Sequence, residues 1–367
     1  MSVDLLRTLV AFDTTSRNSN LDLVNWAISR LDAAGARTRL IHDATRTKAN
    51  LVASFGPDVA GGIVLSAHTD TVPVDGQAWT SNPFELIERN GRLHGRGAVD
   101  MKGFIACCLA AAPQWGRAGL KRPIHLALSY DEEIGCFGVP RLVADLAANL
   151  APPALVVVGE PTGMRIADGH RGYCGFRTVF HGRATHSGDP SKGVSAIAAA
   201  ARFVSLLLGQ EEPIARDGGR TTVNIGQIAG GTNINIVPGR CEVFWEFRPA
   251  ADADVTTLAT VANGLILQAA PTGLPPETEE TVSIPPLRPE PGNPAIAIAH
   301  RLGGALPLAD LPFGTEGGFF QAAGFPTVVC GPGSIEQAHQ PDEWIAAEEL
   351  AKAAGFLERV TQWAETA

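Results

Sequence analysis

The chain has 367 residues, 45% of them hydrophobic, which is enough apolar material for one large domain and a smaller one, each with its own core. A formal net charge of −9 and the lack of any Lys/Arg-rich run exclude the electrostatic footprint of a nucleic-acid binder. No apolar run reaches the roughly 18 residues that span a bilayer, and the opening MSVDLLRTLVAFDTTSRNSN has no basic segment followed by an apolar one, so an unsecreted, cytoplasmic protein without a membrane partner is expected.

Residues 4 to 35 read as a helix that starts amphipathic, breaks near Asp13 to Ser19 and resumes as LDLVNWAISRLDAAGA. Strands and helices then alternate. GIVLSAH, PIHLALSY, ALVVVGE and PTVVCGP are short, rich in Val, Leu and Ile, and bounded by Gly, Pro or charge, as in strands covered on both faces. MKGFIACCLAAAPQWG and VPRLVADLAANL read as helices between them, so a doubly wound mixed α/β sheet is predicted. Cys107 and Cys108 are adjacent on the first of these helices, and six cysteines without a CxxC pair predict buried free thiols.

The texture changes near Gly172. GYCGFRTVFHGRA, a helix through SAIAAAARFVSLLLG, TTVNIGQIAGG, RCEVFWEFRP, a helix through DVTTLATVANGLILQ and a last extended piece give the order β, α, β, β, α, β of a small split-βαβ, ferredoxin-like sheet. We therefore expect a catalytic α/β domain in two parts, residues 1–171 and 282–367, with a small α+β domain at 172–281 inserted between them. Pro-rich SIPPLRPEPGNP returns the chain to α/β texture.

Ligands of open α/β sheets sit at the carboxyl ends of the strands, so the residues just past each strand are the informative ones. After GIVLSA comes His68-Thr69-Asp70; after RLHGRGAV, read as a short strand, comes Asp100; after PIHLALSY comes Asp131-Glu132-Glu133; within ALVVVGE comes Glu160. One such residue is commonly a cap or a satisfied polar group. Carboxylates clustered in this way repel one another unless cations hold them, and with an imidazole beside them a centre with two divalent ions is expected, zinc first, with cobalt or manganese as alternatives. A second imidazole is needed. His339, in the Gly/Pro-punctuated loop GPGSIEQAHQPDEW after PTVVC, is a better candidate than His42, His94, His125, His181 or His300, which sit in ordinary strand, turn or helix contexts; His170 in ADGHRGYCG stays undecided.

HTDTVP at 68–73, GRGAVDMKG at 95–103, DEEIG at 131–135, GEPT at 159–162, THS at 185–187 and AHQPDE at 338–343 resemble the acetylornithine deacetylase, succinyl-diaminopimelate desuccinylase and carboxypeptidase superfamily of dizinc hydrolases, over nearly the whole chain. AFDTTSRNSN, GTEGGFFQ and GPGSIEQAHQPDE are most similar to its acetylornithine deacetylase branch. The resemblance implies that His68 and Glu160 hold one ion, that Glu133 and His339 hold the other, and that Asp100 bridges both. It implies a cis peptide after Asp100, an Asp70 carboxylate that orients His68, and Glu132 as the general base. It further implies a homodimer in which His186 of the partner subunit reaches the oxyanion, and substrate contacts from Asn235, Arg248 and Thr315, with Glu316 beside them. An exposed strand-end charge is the alternative for Arg248. The expected reaction is hydrolysis of N2-acetyl-L-ornithine to L-ornithine and acetate. Desuccinylation of a diaminopimelate derivative, broader aminoacylase or carboxypeptidase activity, and a non-catalytic binding protein on the same scaffold are the alternatives. The last would have lost Glu132 or a ligand, and all are present.

Overall fold

The computed structural model describes residues 1–209, 221–305 and 311–366; residues 210–220 of the expected inserted domain and 306–310 of the expected last segment lie outside the described residues. The chain divides into two units, one of Met1–His170, Leu287–Leu311 and Thr315–Ala367, the other of Arg171–Pro286 with Pro312–Gly314.

The first unit begins with helices Ser2–Ala11 and Leu21–Ala33 and strands β1 (Arg37–His42), β2 (Ala49–Phe55) and β3 (Ile63–His68). Short strands β4 (Ile87–Arg89) and β5 (Arg92–His94) follow, then helix Gly103–Trp115, β6 (Ile124–Ser129), helix Val139–Asn149 and β7 (Leu155–Pro161). The second unit contains β8 (Tyr173–His181), β9 (Thr185–His186), helix Ala196–Leu208, β10 (Thr222–Gly230), β11 (Ile236–Val237), β12 (Arg240–Arg248), helix Val255–Ala269 and β13 (Glu277–Ile284). The first unit resumes with helices Pro294–Arg301 and Gly317–Ala322, β14 (Thr327–Gly331), β15 (Trp344–Ala346) and helix Ala347–Glu365.

The main sheet runs β1-β2-β6-β3-β7-β14, parallel from β6 to β14 and antiparallel at β1 and β2. Every residue of β2, β3, β6, β7 and β14 is buried. That explains their largely aliphatic composition, since each fully buried Val, Leu or Ile contributes about 1.5–3 kcal/mol. Helix Gly103–Trp115 is buried almost all round and packs against the helices at both chain ends, where Trp115 Nε1 donates to Thr361 Oγ1 at 3.0 Å. All six cysteines are free and buried.

Two glycines shape the approach to the strand ends. A Cβ on Gly159, in β7, would sit 2.1 Å from Phe104 Cδ1, so glycine lets that ring lie against the strand one residue before Glu160. Gly97 has φ +79°, and a Cβ there would lie 2.8 Å from Thr71 Cγ2. It ends the short strand early, which corrects the expectation for RLHGRGAV. Only Arg92–His94 is paired as a strand, in a small β15-β5-β4 sheet, and Asp100, with φ −122° and ψ 93°, lies in a kinked segment, Ala98–Lys102, that leads into helix Gly103–Trp115. The Asp100–Met101 peptide is cis.

The second unit's sheet runs β10-β12-β8-β13 with every neighbouring pair antiparallel, the ferredoxin-like order. In β12, Cys241, Val243, Trp245 and Phe247 alternate inward and meet Phe180 and Phe203 in the core. Ser195 and Asp254 accept hydrogen bonds from backbone N–H groups in the first turns of the two helices and so fix where each begins.

Candidate metal centre and active site

His68 is the last residue of β3, and its Nδ1 lies 3.0 Å from the Asp70 carbonyl oxygen. A carbonyl can only accept, so Nδ1 carries a proton and Nε2 is the ring nitrogen that would face a metal ion. Nε2 stands 2.9 Å from Asp100 Oδ1 and 3.5 Å from Glu160 Oε1. Across Asp100, His339 Nε2 lies 3.2 Å from its Oδ2 and 2.9 Å from Glu133 Oε2. Asp100 therefore offers one oxygen to each imidazole.

Asp70 makes different contacts from those anticipated. Its carboxylate is 3.7 Å from His68 Nδ1, beyond hydrogen-bond distance. It accepts instead from Ser16 Oγ at 2.7 Å and from the backbone N–H groups of Glu132 and Glu133 at 3.1 and 3.3 Å. The main-chain carbonyl of Asp70 orients the imidazole while its carboxylate holds the two glutamates that follow β6. Asp131, in the same acidic run, pairs with Lys48.

Donor atoms of His68, Glu132 and Glu160 lie within 4.8 Å of one another, as do those of His68, Asp100 and Glu133. On distance alone Glu132 belongs with the ligands; its assignment as base rests on the resemblance. Cys136 Sγ donates to Glu132 Oε1 at 3.6 Å.

The electrostatics fit divalent cations. Burial pushes the Glu132 and Glu160 carboxyls well above the ordinary range and Glu133 up to about 7. Hydrogen bonds to Asp100 and Glu133 raise His339 to about 11. Burial alone would lower His68, but its bond to Asp100 and the charge of Glu160 raise it well above its usual value. Protein groups alone leave a cluster short of positive charge, which protons would fill, and an imidazole and carboxylate donor set of this kind suits zinc or another borderline divalent ion.

Other sequence candidates fall elsewhere. Thr315 is fully buried and its Oγ1 accepts from Gly317 N–H at 3.0 Å, at the start of a short helix. Glu316 is also fully buried, accepting from Ser66 Oγ at 2.6 Å and from Ser129 Oγ. The signal for it was present: Ser66 and Ser129 interrupt aliphatic strands, Ser129 lies beside His68 in register, and buried hydroxyls need partners. His170 is fully buried with Nδ1 accepting from Leu287 N–H at 3.5 Å.

In the second unit, β9 pairs with β11 so that His186 opposes Ile236, and Ser187 N–H donates to the Asn235 carbonyl at 2.9 Å. His186 and Asn235 are thus neighbours, both exposed, and His186 Nδ1 accepts from Gly188 N–H at 3.0 Å. Arg248, at the end of β12, has its guanidinium 3.7 Å from the Tyr173 ring centroid and Nε 3.0 Å from Glu246 Oε1.

A mixed α/β sheet with acidic and imidazole donors gathered at its strand ends is the arrangement of a metal-dependent catalytic centre. The family model for Peptidase family M20/M25/M40 matches residues 64–363, and the chain belongs to that family. It is 35% identical to an acetylornithine deacetylase of Myxococcus xanthus over 96% of this chain and 95% of that protein. It is 32% identical to an acetylornithine deacetylase of Pasteurella multocida (strain Pm70) over 93% and 90%. Its fold is similar to that of an M20 family metallo-carboxypeptidase from Sulfolobus solfataricus, with a TM-score of 0.81, 18% identity and 99% of each chain covered. Among the described residues no helix is long and apolar enough to cross a membrane.

Proposed function

We propose that this hydrolase removes the acetyl group from the α-nitrogen of ornithine, a step of arginine biosynthesis in the cytoplasm. The observation that carries the amide-hydrolase chemistry is Asp100, with one carboxylate oxygen toward each of two imidazoles and a buried Glu132 beside them. The substrate reading is supported by the names of two similar proteins, both acetylornithine deacetylase.

His68 and Glu160 would hold one ion, Glu133 and His339 the other, and Asp100 both, with zinc the expected metal and cobalt an alternative. Such ions lower the pKa of a water toward about 7 and polarise the scissile carbonyl. Glu132 accepts a proton as the water oxygen adds to the acetyl carbon, then returns it to the α-nitrogen as the C–N bond breaks. Acetate and the free amine leave. Asp70 keeps Glu132 and Glu133 in place through their backbone N–H groups. Arg248 meets the α-carboxylate with its planar fork, and Asn235 contacts the carbonyl region.

We further propose a homodimer built through the inserted unit, in which His186 of the partner subunit donates to the developing oxyanion. The exposed edge strand β10 supports this, with Ile228 49% and Ile234 98% exposed along it and just beyond it.

Comparing kcat/KM for N-acetylornithine, N-succinyl-diaminopimelate and N-acetylmethionine on zinc-loaded protein tests the substrate. N-acetylornithine should lead by about tenfold or more, since one charge or a few methylenes in a pocket discriminate on that scale. Preference for the succinylated substrate would overturn the assignment while leaving the class of hydrolase intact.

A further inference from the structure

The loop that carries His339 continues to a second acidic residue with a separate set of contacts. Glu343 and Arg96 are each about 1% exposed and form an ion pair at 2.7 Å between Glu343 Oε2 and Arg96. The same oxygen accepts from Gly97 N–H at 3.1 Å, and the other oxygen accepts from Val99 N–H at 2.9 Å and Asp100 N–H at 3.2 Å. One carboxylate thus takes four donors, three of them backbone groups of the turn that carries Asp100. From Arg96 the contacts continue to Gln77 Oε1, and Gln77 Nε2 donates to the His339 carbonyl at 2.9 Å.

A buried ion pair is weak ground for stability, because apolar residues of similar volume frequently hold a fold as well. A carboxylate with all its acceptor sites filled does fix geometry. We propose that Glu343 is a positioning residue of the metal centre: with Arg96 and Gln77 it locks the Asp100 turn to the His339 loop, so that the two segments are set before any ion binds. The proposal rests on the reading of Asp100 and His339 as ligands. Glu343 itself touches neither ion nor substrate. The same contacts explain why Asp100 and His339 meet although 239 positions separate them in the sequence (339 − 100). The turn is tied to the loop through backbone and side chain at once, with Gly95 N–H also donating to the Glu343 carbonyl at 2.9 Å.

Zinc titration of chelator-treated protein by calorimetry, on wild type, Glu343→Gln and His339→Ala, separates the possibilities. Glu343→Gln should bind zinc about 10- to 100-fold more weakly than wild type, with both ions affected because Asp100 serves both, the usual effect of removing a residue that holds a ligand in place. If His339→Ala loses the second ion but Glu343→Gln binds both with wild-type affinity, the positioning role is wrong. If His339→Ala itself keeps two ions at wild-type affinity, the ligand reading fails and the proposal with it. Amide hydrogen exchange on metal-free wild type needs no variant. The amides of Val99 and Asp100 should be protected without zinc, and free exchange until zinc is added would overturn the proposal.

Discussion

Glu132 and Glu133 share a backbone anchor, the Asp70 carboxylate, yet are assigned different work. Glu132→Gln should keep the fold and two ions per chain while kcat falls by the roughly 10²–10⁴ that general-base loss removes. Metal analysis beside the rate measurement decides it: a variant that turns over normally would exclude the role, and one that loses an ion would return Glu132 to the ligands. A second residue-scale prediction concerns His125 on β6, buried and bonded to Ser54 Oγ at 2.8 Å. Burial holds its pKa down to about 4. Its unfolded value is about 6.5, so between these pH values the unfolded chain binds the extra proton and stability rises with pH. The contribution is present above about 6.5 and is lost as pH falls toward 4, amounting to about 3 kcal/mol at most. Urea unfolding at pH 7.5 and 4.5 should give a larger loss for wild type than for His125→Gln; equal losses would contradict the shift.

At the scale of elements, the strands that position the site were legible because burial on both faces leaves short runs dense in aliphatic residues. IVLSAH, IHLALS and LVVVGEP read as strands from composition alone, and their ends gave His68, Glu132, Glu133 and Glu160. The turn around Asp100 was not legible. Its residues AVDMK continue what reads as a strand, and only the positive φ of Gly97 and the grip of Glu343 make it a turn. Glu343 itself reads as one more acid in a polar loop, since nothing local marks a carboxylate whose partners lie 243 to 247 positions away. The contact between β7 and helix Gly103–Trp115 makes its own prediction. Gly159→Ala would drive a methyl group into the Phe104 ring and should cost about 1–3 kcal/mol by overpacking. Because Glu160 is next in the strand, zinc affinity should fall along with the thermal midpoint. A variant with an unchanged midpoint would show that the ring has room to move.

For the whole molecule, the inserted unit carries His186 and Asn235 side by side on an exposed pair of short strands. The proposed action of His186 across the dimer predicts that His186→Ala and Glu132→Gln homodimers are each nearly inactive, whereas mixed dimers regain one intact site of two. Co-refolding the variants and assaying the mixture checks this; no recovery despite demonstrated subunit exchange would exclude action in trans. The central claim, that the strand-end cluster is a two-ion hydrolytic centre, is tested most directly by titrating zinc into chelator-treated protein while following N-acetylornithine hydrolysis. The account predicts no turnover without metal and a full rate at two ions per chain, and no turnover at any zinc level in a His68→Ala, His339→Ala double variant. Undiminished hydrolysis by verified metal-free protein, or by that variant, would contradict it.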